Sequence, residues 1–279
     1  MHYKQSKRLS NREFKRLVGV QRKTFDEMVQ VIQESTRDKL SRGCPSKLSI
    51  ENQVLVCLQY LREYRTYFHI ALDWDVSEST VCRIVHNIEN IIISSRRFRL
   101  GGKKSLLISS KILRTVVMDV TETPIERPKQ GQKRFYSGKK KRHTLKSQLV
   151  IDLETREICC IAQAKGRNHD YRLFVNSKVR FHPETESLED SGYQGIAKFH
   201  KNSRLPKKKP KGGKLNYQDK RSNRALASRR VVVEHINRRL KVFRILSQPY
   251  RNRGKRFGLR SHLIAGLYIP LLSISELSK

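Results

Sequence analysis

The sequence predicts an α/β core that follows an all-α N-terminal region. Three observations carry that expectation. Residues 112–120 form an apolar, β-branched run of strand length, and residues 144–152 and 157–164 supply two more, each bounded by turn formers. Before residue 100, apolar side chains recur instead at helical spacing behind Ser or Thr caps. The chain has 279 residues, enough for one large domain or two smaller ones with a real core. The predicted organisation is a helical segment over 1–45, a second helical region over 46–100 and an α/β domain over 101–279.

Charge narrows the partners. Lys and Arg number 60 against 25 Asp and Glu, a net charge of +35, so the whole molecule attracts polyanions. Nucleic acid comes first, and an anionic membrane surface second. No strongly amphipathic basic helix supports the membrane. No stretch reaches the ~18 uninterrupted apolar residues of a membrane span, since the best, 262–274, is short and carries Pro270. The first residues, MHYKQSKRLSNREFKRL, contain no apolar signal core. Five cysteines without a CxxC pair suggest reduced thiols of a cytoplasmic protein and argue against zinc.

In the first segment Phe14, Leu17 and Val18 fall at helical spacing, and Thr24 is read as the cap of a second helix bearing Phe25, Met28, Val29 and Ile32. Residues 41–45, SRGCP, read as a turn. Ser49 then precedes an amphipathic helix with Val54, Leu55, Leu58 and Leu61 on one face. In the stretch RTYFHIALDWDVSESTVCRIV, Ala71 falls ten residues before Val81, and Ser77 can cap a new helix after the turn at Asp75 and Val76. Two short helices of this kind form a helix-turn-helix pattern, although Asp75 stands where the turn usually has Gly. Exposed Glu78, Ser79, Thr80 and Arg83 then face the major groove, with Arg83 best suited to guanine. The basic stretch around Gly101 and Gly102 marks the domain boundary.

Asp119 sits inside the apolar run 112–120. An ionised carboxylate in a buried strand is costly unless it is paired or holds a cation. With Pro124 ending the strand, Asp119 is expected near its carboxyl end, where ligands gather in open α/β sheets. A basic hairpin follows. Lys139, Lys140, Lys141 and Arg142 lie beside Ser137-Gly138, with Phe135 and Tyr136 interleaved, and suit a phosphate backbone. Asp170 opens a helix as a first-turn acid. Asp190 ends a short strand just before Ser191-Gly192. In ASRRVVVEHINRRLKVFRIL, Val233, Ile236, Leu240 and Phe243 line a core face, while Arg230, Glu234, Arg238 and Lys241 line the neighbouring one. A closing helix over 259–272 is expected to end at Pro270.

Each acid has a bland reading alone: Asp119 as a turn cap, Glu234 as a partner of Arg230 and Arg238 worth only ~0.3–0.5 kcal/mol per pair. Together, Asp119, Asp190 and Glu234 offer hard oxygen ligands from separate elements, which suits Mg²⁺. Two such ions ~3.5–4 Å apart serve in-line phosphoryl displacement.

The segments MDVTETPIERP, FYSGKKKRHTLKSQLVID, NHDYRLF, DSGYQG, LPKKKPKGG and RRVVVEHINRRLKVFRIL, with the helix-turn-helix stretch, resemble the DDE transposases of bacterial insertion sequences, family five, which are related to Harbinger-type transposases. The resemblance covers nearly the whole chain. It implies an RNase H-like core behind a helix-turn-helix that recognises the element's ends. It also implies a catalytic, metal-binding triad of Asp119, Asp190 and Glu234, with Mg²⁺ (Mn²⁺ as substitute), two ions in all. The family's Arg and Lys around the glutamate map onto Arg230 and Lys241, and its Tyr is replaced by Ala227. Asp170 matches a further acidic position and is a candidate fourth ligand. The implied activity is strand cleavage and transfer on double-stranded DNA, element ends and target, by a cytoplasmic, nucleoid-associated bacterial protein, oligomeric when synapsed on DNA. The alternative is a transposase-derived DNA-binding protein without catalysis.

Overall fold

The structure is a computed structural model that describes residues 2–37, 46–108, 112–210 and 212–275, with side chains through residue 268. The expected turn at 41–45 lies outside the described residues. In order, the elements are helices α1 (Tyr3–Ser6), α2 (Asn11–Val18), α3 (Arg22–Arg37), α4 (Ile50–Glu63), α5 (Tyr67–Trp74), α6 (Glu78–Ser94) and α7 (Gly102–Ser105). Strand β1 (Thr115–Pro124), helix α8 (Gln132–Phe135) and strands β2 (Tyr136–Ser137), β3 (Arg142–Asp152) and β4 (Ile158–Lys165) follow. Then come α9 (Asp170–Ser177), β5 (Glu186–Leu188), β6 (Ser203–Arg204), α10 (Tyr217–Leu240) and α11 (Phe257–Ser275).

These elements form two compact units. One comprises Met1–Arg99, Leu240–Gln248 and Leu259–Lys279; the other comprises Leu100–Arg239 and Pro249–Gly258. The sequence boundary at 101 therefore misses one feature: the far end of the chain returns to complete the helical unit.

Caps define the helices of that unit. Ser10 and Glu13 form a reciprocal capping box on α2, and Ser49, Thr66 and Ser77 cap α4, α5 and α6 through their hydroxyls. Gly19 ends α2 at φ +86°, where a Cβ would lie 2.8 Å from the Phe243 ring, so only glycine suits both the backbone and the packing. Thr24 is not a cap. Helix α3 begins two residues earlier, with the Gln21 carbonyl accepting from the Phe25 amide at 3.0 Å, and Thr24 is buried inside it. Phe14, Phe25, Met28, Ile32, Leu58, Leu61, Ile70, Val85 and Ile88 fill the core.

A charged pair is buried within this core. Arg260 of α11 donates through Nε to Glu89 of α6 at 2.6 Å and through Nη1 to the Tyr60 hydroxyl of α4 at 3.3 Å. Its guanidinium also lies over the Tyr60 ring, 5.0 Å from the centroid. Glu89 has no exposed surface and Arg260 almost none. Pairing offsets the desolvation of each charge, so either residue left alone is strongly unfavourable. Helix α11 itself runs through Pro270 to Ser275 rather than ending there. Proline's fixed φ is compatible with helical backbone, so the expected stop at 270 does not occur.

The second unit is built on a mixed sheet. Strand order is β4-β3-β1-β5-β6, with β2 pairing the start of β3. β1 runs antiparallel to β3, and β3 antiparallel to β4. β1 is parallel to β5, and β5 to β6. An antiparallel meander that continues into parallel strands on its other side is the RNase H-like arrangement the sequence leads one to expect. Alternation divides the faces of β1. Val116, Met118 and Val120 pack with Val150, Cys160, Phe174, Tyr193 and Ile196. Asp119, paired in register with Leu149, faces the other side.

β1 differs from expectation at both ends. It starts at Thr115, leaving Ile112 exposed, and its TETP segment stays in register with residues 144–147 of β3. Asp119 is therefore the fifth of ten strand residues, not a strand-end carboxylate. Among the described residues, no helix is long and apolar enough to cross a membrane.

The buried pair yields a stability test. Arg260→Met alone should lower unfolding free energy by about 3–5 kcal/mol, because buried Glu89 loses the guanidinium that offsets its desolvation. The double variant Arg260→Met/Glu89→Leu should recover most of that loss in urea denaturation. Additive losses would show that the pair carries no coupling.

Candidate active site

Asp119 is the anchor. Its side chain is about three-quarters covered, and burial pushes its carboxyl up to about 6, with Arg230 opposing the rise and the charges of Asp190 and Asp170 adding to it. Asp190 caps the short turn after β5, accepting from the Gly192 amide at 2.8 Å. Asp170 is the first residue of α9. Gly192 sits between these two acids: a Cβ there would fall 2.9 Å from Asp190 Oδ1 and 3.0 Å from Asp170 Oδ2. The buried Tyr193 hydroxyl is held well above its ordinary pKa, first by burial and then by Asp170, Asp119, Asp190 and Glu189. Three aspartates from β1, the α9 start and the turn after β5 thus share one neighbourhood.

Helix α10 supplies the counter-groups. Arg230 Nη2 lies 3.6 Å from Asp119 Oδ1, and Asn237 Nδ2 donates to Asp119 Oδ2 at 3.0 Å. Glu234 lies four residues after the first and three before the second, on the same helical stripe. Its own side chain is exposed and forms no ion pair among the described residues. The i±4 pairing with Arg230 and Arg238 is therefore not made. Val233 and Ile236 are buried beside that stripe, as the periodicity predicts. Lys241 lies in the turn just beyond the helix.

Three participants escaped the sequence. Lys146 of β3 donates to Asp170 Oδ1 at 2.8 Å and to the Asn168 carbonyl at 2.7 Å. It also lies 3.9 Å from Glu122, so one oxygen of Asp170 is already engaged by a cation. Its signal was a Lys between Thr144 and Gln148 at alternate strand positions, facing inward. Asn237 was concealed by its neutrality. Glu189, fully buried beside Asp190, is pushed up to about 7 by burial, but only the fold distinguishes it from an exposed neighbour.

The donor set fits a hard divalent cation in its chemistry: oxygen ligands, mutual repulsion and a carboxylate whose charged form the site disfavours. In the arrangement described, Asp119 is instead satisfied by Arg230 and Asn237. No group of three acidic, His or Cys side chains among the described residues stands close enough to hold a metal.

In the helical unit, the turn between α5 and α6 holds Asp75 at φ +50°, taking the place of the usual glycine. Lys47 clamps it, donating to its carbonyl at 2.7 Å and its carboxylate at 2.6 Å. Ser79 and Arg83 are exposed on the first turns of α6. The Thr80 hydroxyl is engaged by Ser77 at 2.8 Å and by Arg83 at 3.2 Å. Lys139, Lys140 and Lys141 are exposed between β2 and β3, and Arg142 is exposed at the start of β3.

Comparison with known proteins agrees with this layout. Residues 118–267 match the family described as DDE superfamily endonuclease. Residues 46–98 match the helix-turn-helix of DDE superfamily endonuclease. The chain is 56% identical over 268 residues to a protein of Microchaete diplosiphon named "Probable transposase for insertion sequence element IS702", covering 96% of this chain and 97% of that one.

The raised pKa of Asp119 sets a pH dependence in metal-free protein. A carboxyl at about 6 when folded, against 3.8 ordinarily, favours the folded state fully below pH 4. That contribution is lost as pH rises through 6. Asp119→Asn mimics the protonated form, so in chelator it should be more stable than wild type at pH 8, by on the order of 2–3 kcal/mol at most. The gain should vanish by pH 4. A gain independent of pH would mean that burial does not perturb Asp119.

Proposed function

The chain belongs to the DDE superfamily endonucleases of insertion-sequence transposases, and on that footing we propose that it binds the terminal inverted repeats of its own element and cuts and joins DNA strands there with Mg²⁺. The observation that carries the proposal is the crossing of α10 at Asp119: Arg230 and Asn237 touch the carboxylate, and Glu234 lies between them on the same stripe.

In this reading Asp119, Asp190 and Glu234 hold the divalent ions, with Asp170 as a neighbour whose second oxygen remains available beside Lys146. The ions supply activation of the attacking oxygen and stabilisation of the leaving one. The chain's own groups do the rest. Arg230 and Asn237 keep the Asp119 carboxylate oriented, and Arg230 limits its negative charge when a phosphate approaches. Arg230 draws the scissile phosphate toward the acids, and Lys241 and the basic turn 139–142 each hold the phosphate backbone of the same DNA. Exposed Glu234 is the member reached last, which suits a site completed when DNA arrives. Ser79 and Arg83 read the element's end in the major groove, with Thr80 orienting Arg83 through its hydroxyl. The working state is a homo-oligomer that synapses two ends in the bacterial nucleoid.

The exposed Glu234 and the absence of a three-ligand cluster among the described residues also favour one competing reading: a DNA-binding descendant that no longer cuts.

Substitutions separate the two. Asp119→Asn, Asp190→Asn and Glu234→Gln should each fold and bind end DNA, yet lose cleavage and joining in Mg²⁺ by several orders of magnitude. Wild-type protein that binds ends but never cuts them in Mg²⁺ or Mn²⁺ establishes the competing reading. Arg83→Ala should weaken binding to element ends about 5- to 150-fold more than binding to random DNA, the range for one lost base contact. Equal loss on both DNAs would assign Arg83 to phosphate.

A further inference from the structure

The sheet unit holds a second feature that the cleavage chemistry does not use. A recess of about 590 Å³ opens between the residues after β1, α8, β2, the start of β3 and the turn after β4, lined by Arg127, Gln132, Lys133, Tyr136, His143 and Arg167. That volume lies in the ~300–1,000 Å³ range of small-ligand sites. Its lining carries three permanent cations and no carboxylate, and none of the three forms an ion pair among the described residues. Two aromatic rings share the recess: Tyr136 and His143 are cross-strand partners with centroids 5.7 Å apart in an edge-to-face arrangement. Tyr136 is 43% exposed, a large ring left open to solvent.

The walls are fixed before any ligand arrives. Arg127 donates through Nε to Gln132 Oε1 at 3.0 Å, which orients its guanidinium and leaves the outer nitrogens available. The Arg167 amide donates to the Arg134 carbonyl at 3.2 Å, and the Gly166 amide to the Thr144 carbonyl at 2.9 Å. Gly166 approaches so closely that a Cβ would lie 2.4 Å from the Phe135 carbonyl oxygen. Glycine is therefore required there for Arg167 to stand where it does.

Cations without acids select an anion, and an open aromatic ring selects a planar π face. Both belong to a nucleotide. A base within an intact duplex has both faces covered by its neighbours, so only an unpaired or extruded one can offer its face to Tyr136. The recess also has a defined place relative to the acids. His143 is on the same face of β3 as Leu149, the register partner of Asp119. Six steps along the strand separate them, roughly 20 Å at ~3.3 Å per residue.

We propose that this recess captures one unpaired nucleotide of the bound DNA, its base on Tyr136 and its phosphate among Arg127, Lys133 and Arg167. The nucleotide site rests on the DNA-binding part of the reading above and not on cleavage.

The test uses full-length protein in chelator, so that no cleavage enters. The probes are a 20-base-pair duplex with one central 2-aminopurine paired to thymine, and the same duplex with that base opposite an abasic site. Wild type should bind the abasic-opposed duplex about tenfold more tightly than the paired one and quench its fluorescence. Tyr136→Phe should keep both effects. Tyr136→Ala should abolish quenching and equalise the two affinities, and Arg167→Ala should weaken binding of the abasic-opposed duplex toward that of the paired one. Thermal melts confirm that the variants, altered at open positions, remain folded. Equal wild-type affinity for the two duplexes, or a preference that survives Tyr136→Ala, overturns the proposal. A wild type that never cleaves yet shows the preference leaves the site standing and removes only the cleavage reading.

Discussion

Folding this chain brings like charges together around Asp119, and much of the sheet unit is arranged to bear that cost. A lone aspartate in a central strand would either pair or stay protonated. Here burial raises its carboxyl to about 6, and the nearby charges of Asp190 and Asp170 add to the rise. Relief comes piecemeal, from Arg230 and Asn237 on Asp119, Lys146 on Asp170 and the Gly192 amide on Asp190. None of these neutralises the set, and the remaining imbalance is what a divalent cation would satisfy. The counter-groups come from α10, β3 and the turn after β5, so all three must be in place at once.

The helical unit handles charge in the opposite way. Arg260 and Glu89 pair inside an apolar core, with the Tyr60 hydroxyl as a second acceptor for the guanidinium. Such a pair contributes little net stability but penalises any packing that separates its members. Because Arg260 comes 171 residues after Glu89, the unit that carries the helix-turn-helix is complete only after the rest of the chain has been made.

The legible parts of the sequence were those set by local periodicity. The β-branched run around Asp119, the hairpin at Ser137-Gly138, the caps at Ser49 and Ser77 and the buried stripe of α10 all follow from spacing and turn chemistry. What was missed depends on which strand or helix lies opposite. TETP stays in β1 because residues 144–147 pair with it, so Asp119 is mid-strand. Lys146 and Asn237 look like surface residues until register and crossing aim them at Asp170 and Asp119. Thr24 carries a cap's side chain but lies inside α3, where packing buries it. The return of α11 to the helical unit leaves no local trace at all.

The central claim is that Glu234, exposed beside Arg230 and Asn237, joins Asp119 and Asp190 around hard divalent ions. Iron(II) can replace Mg²⁺ at such sites and, with ascorbate and peroxide, generates hydroxyl radicals that cut the polypeptide next to its ligands. Mapping those cuts on the protein bound to DNA reads the ligand set without relying on catalysis. The account predicts three clusters of cuts, near residues 119, 190 and 234, all suppressed by excess Mg²⁺. Cuts near 119 and 190 alone, with the 234 region intact, would contradict it.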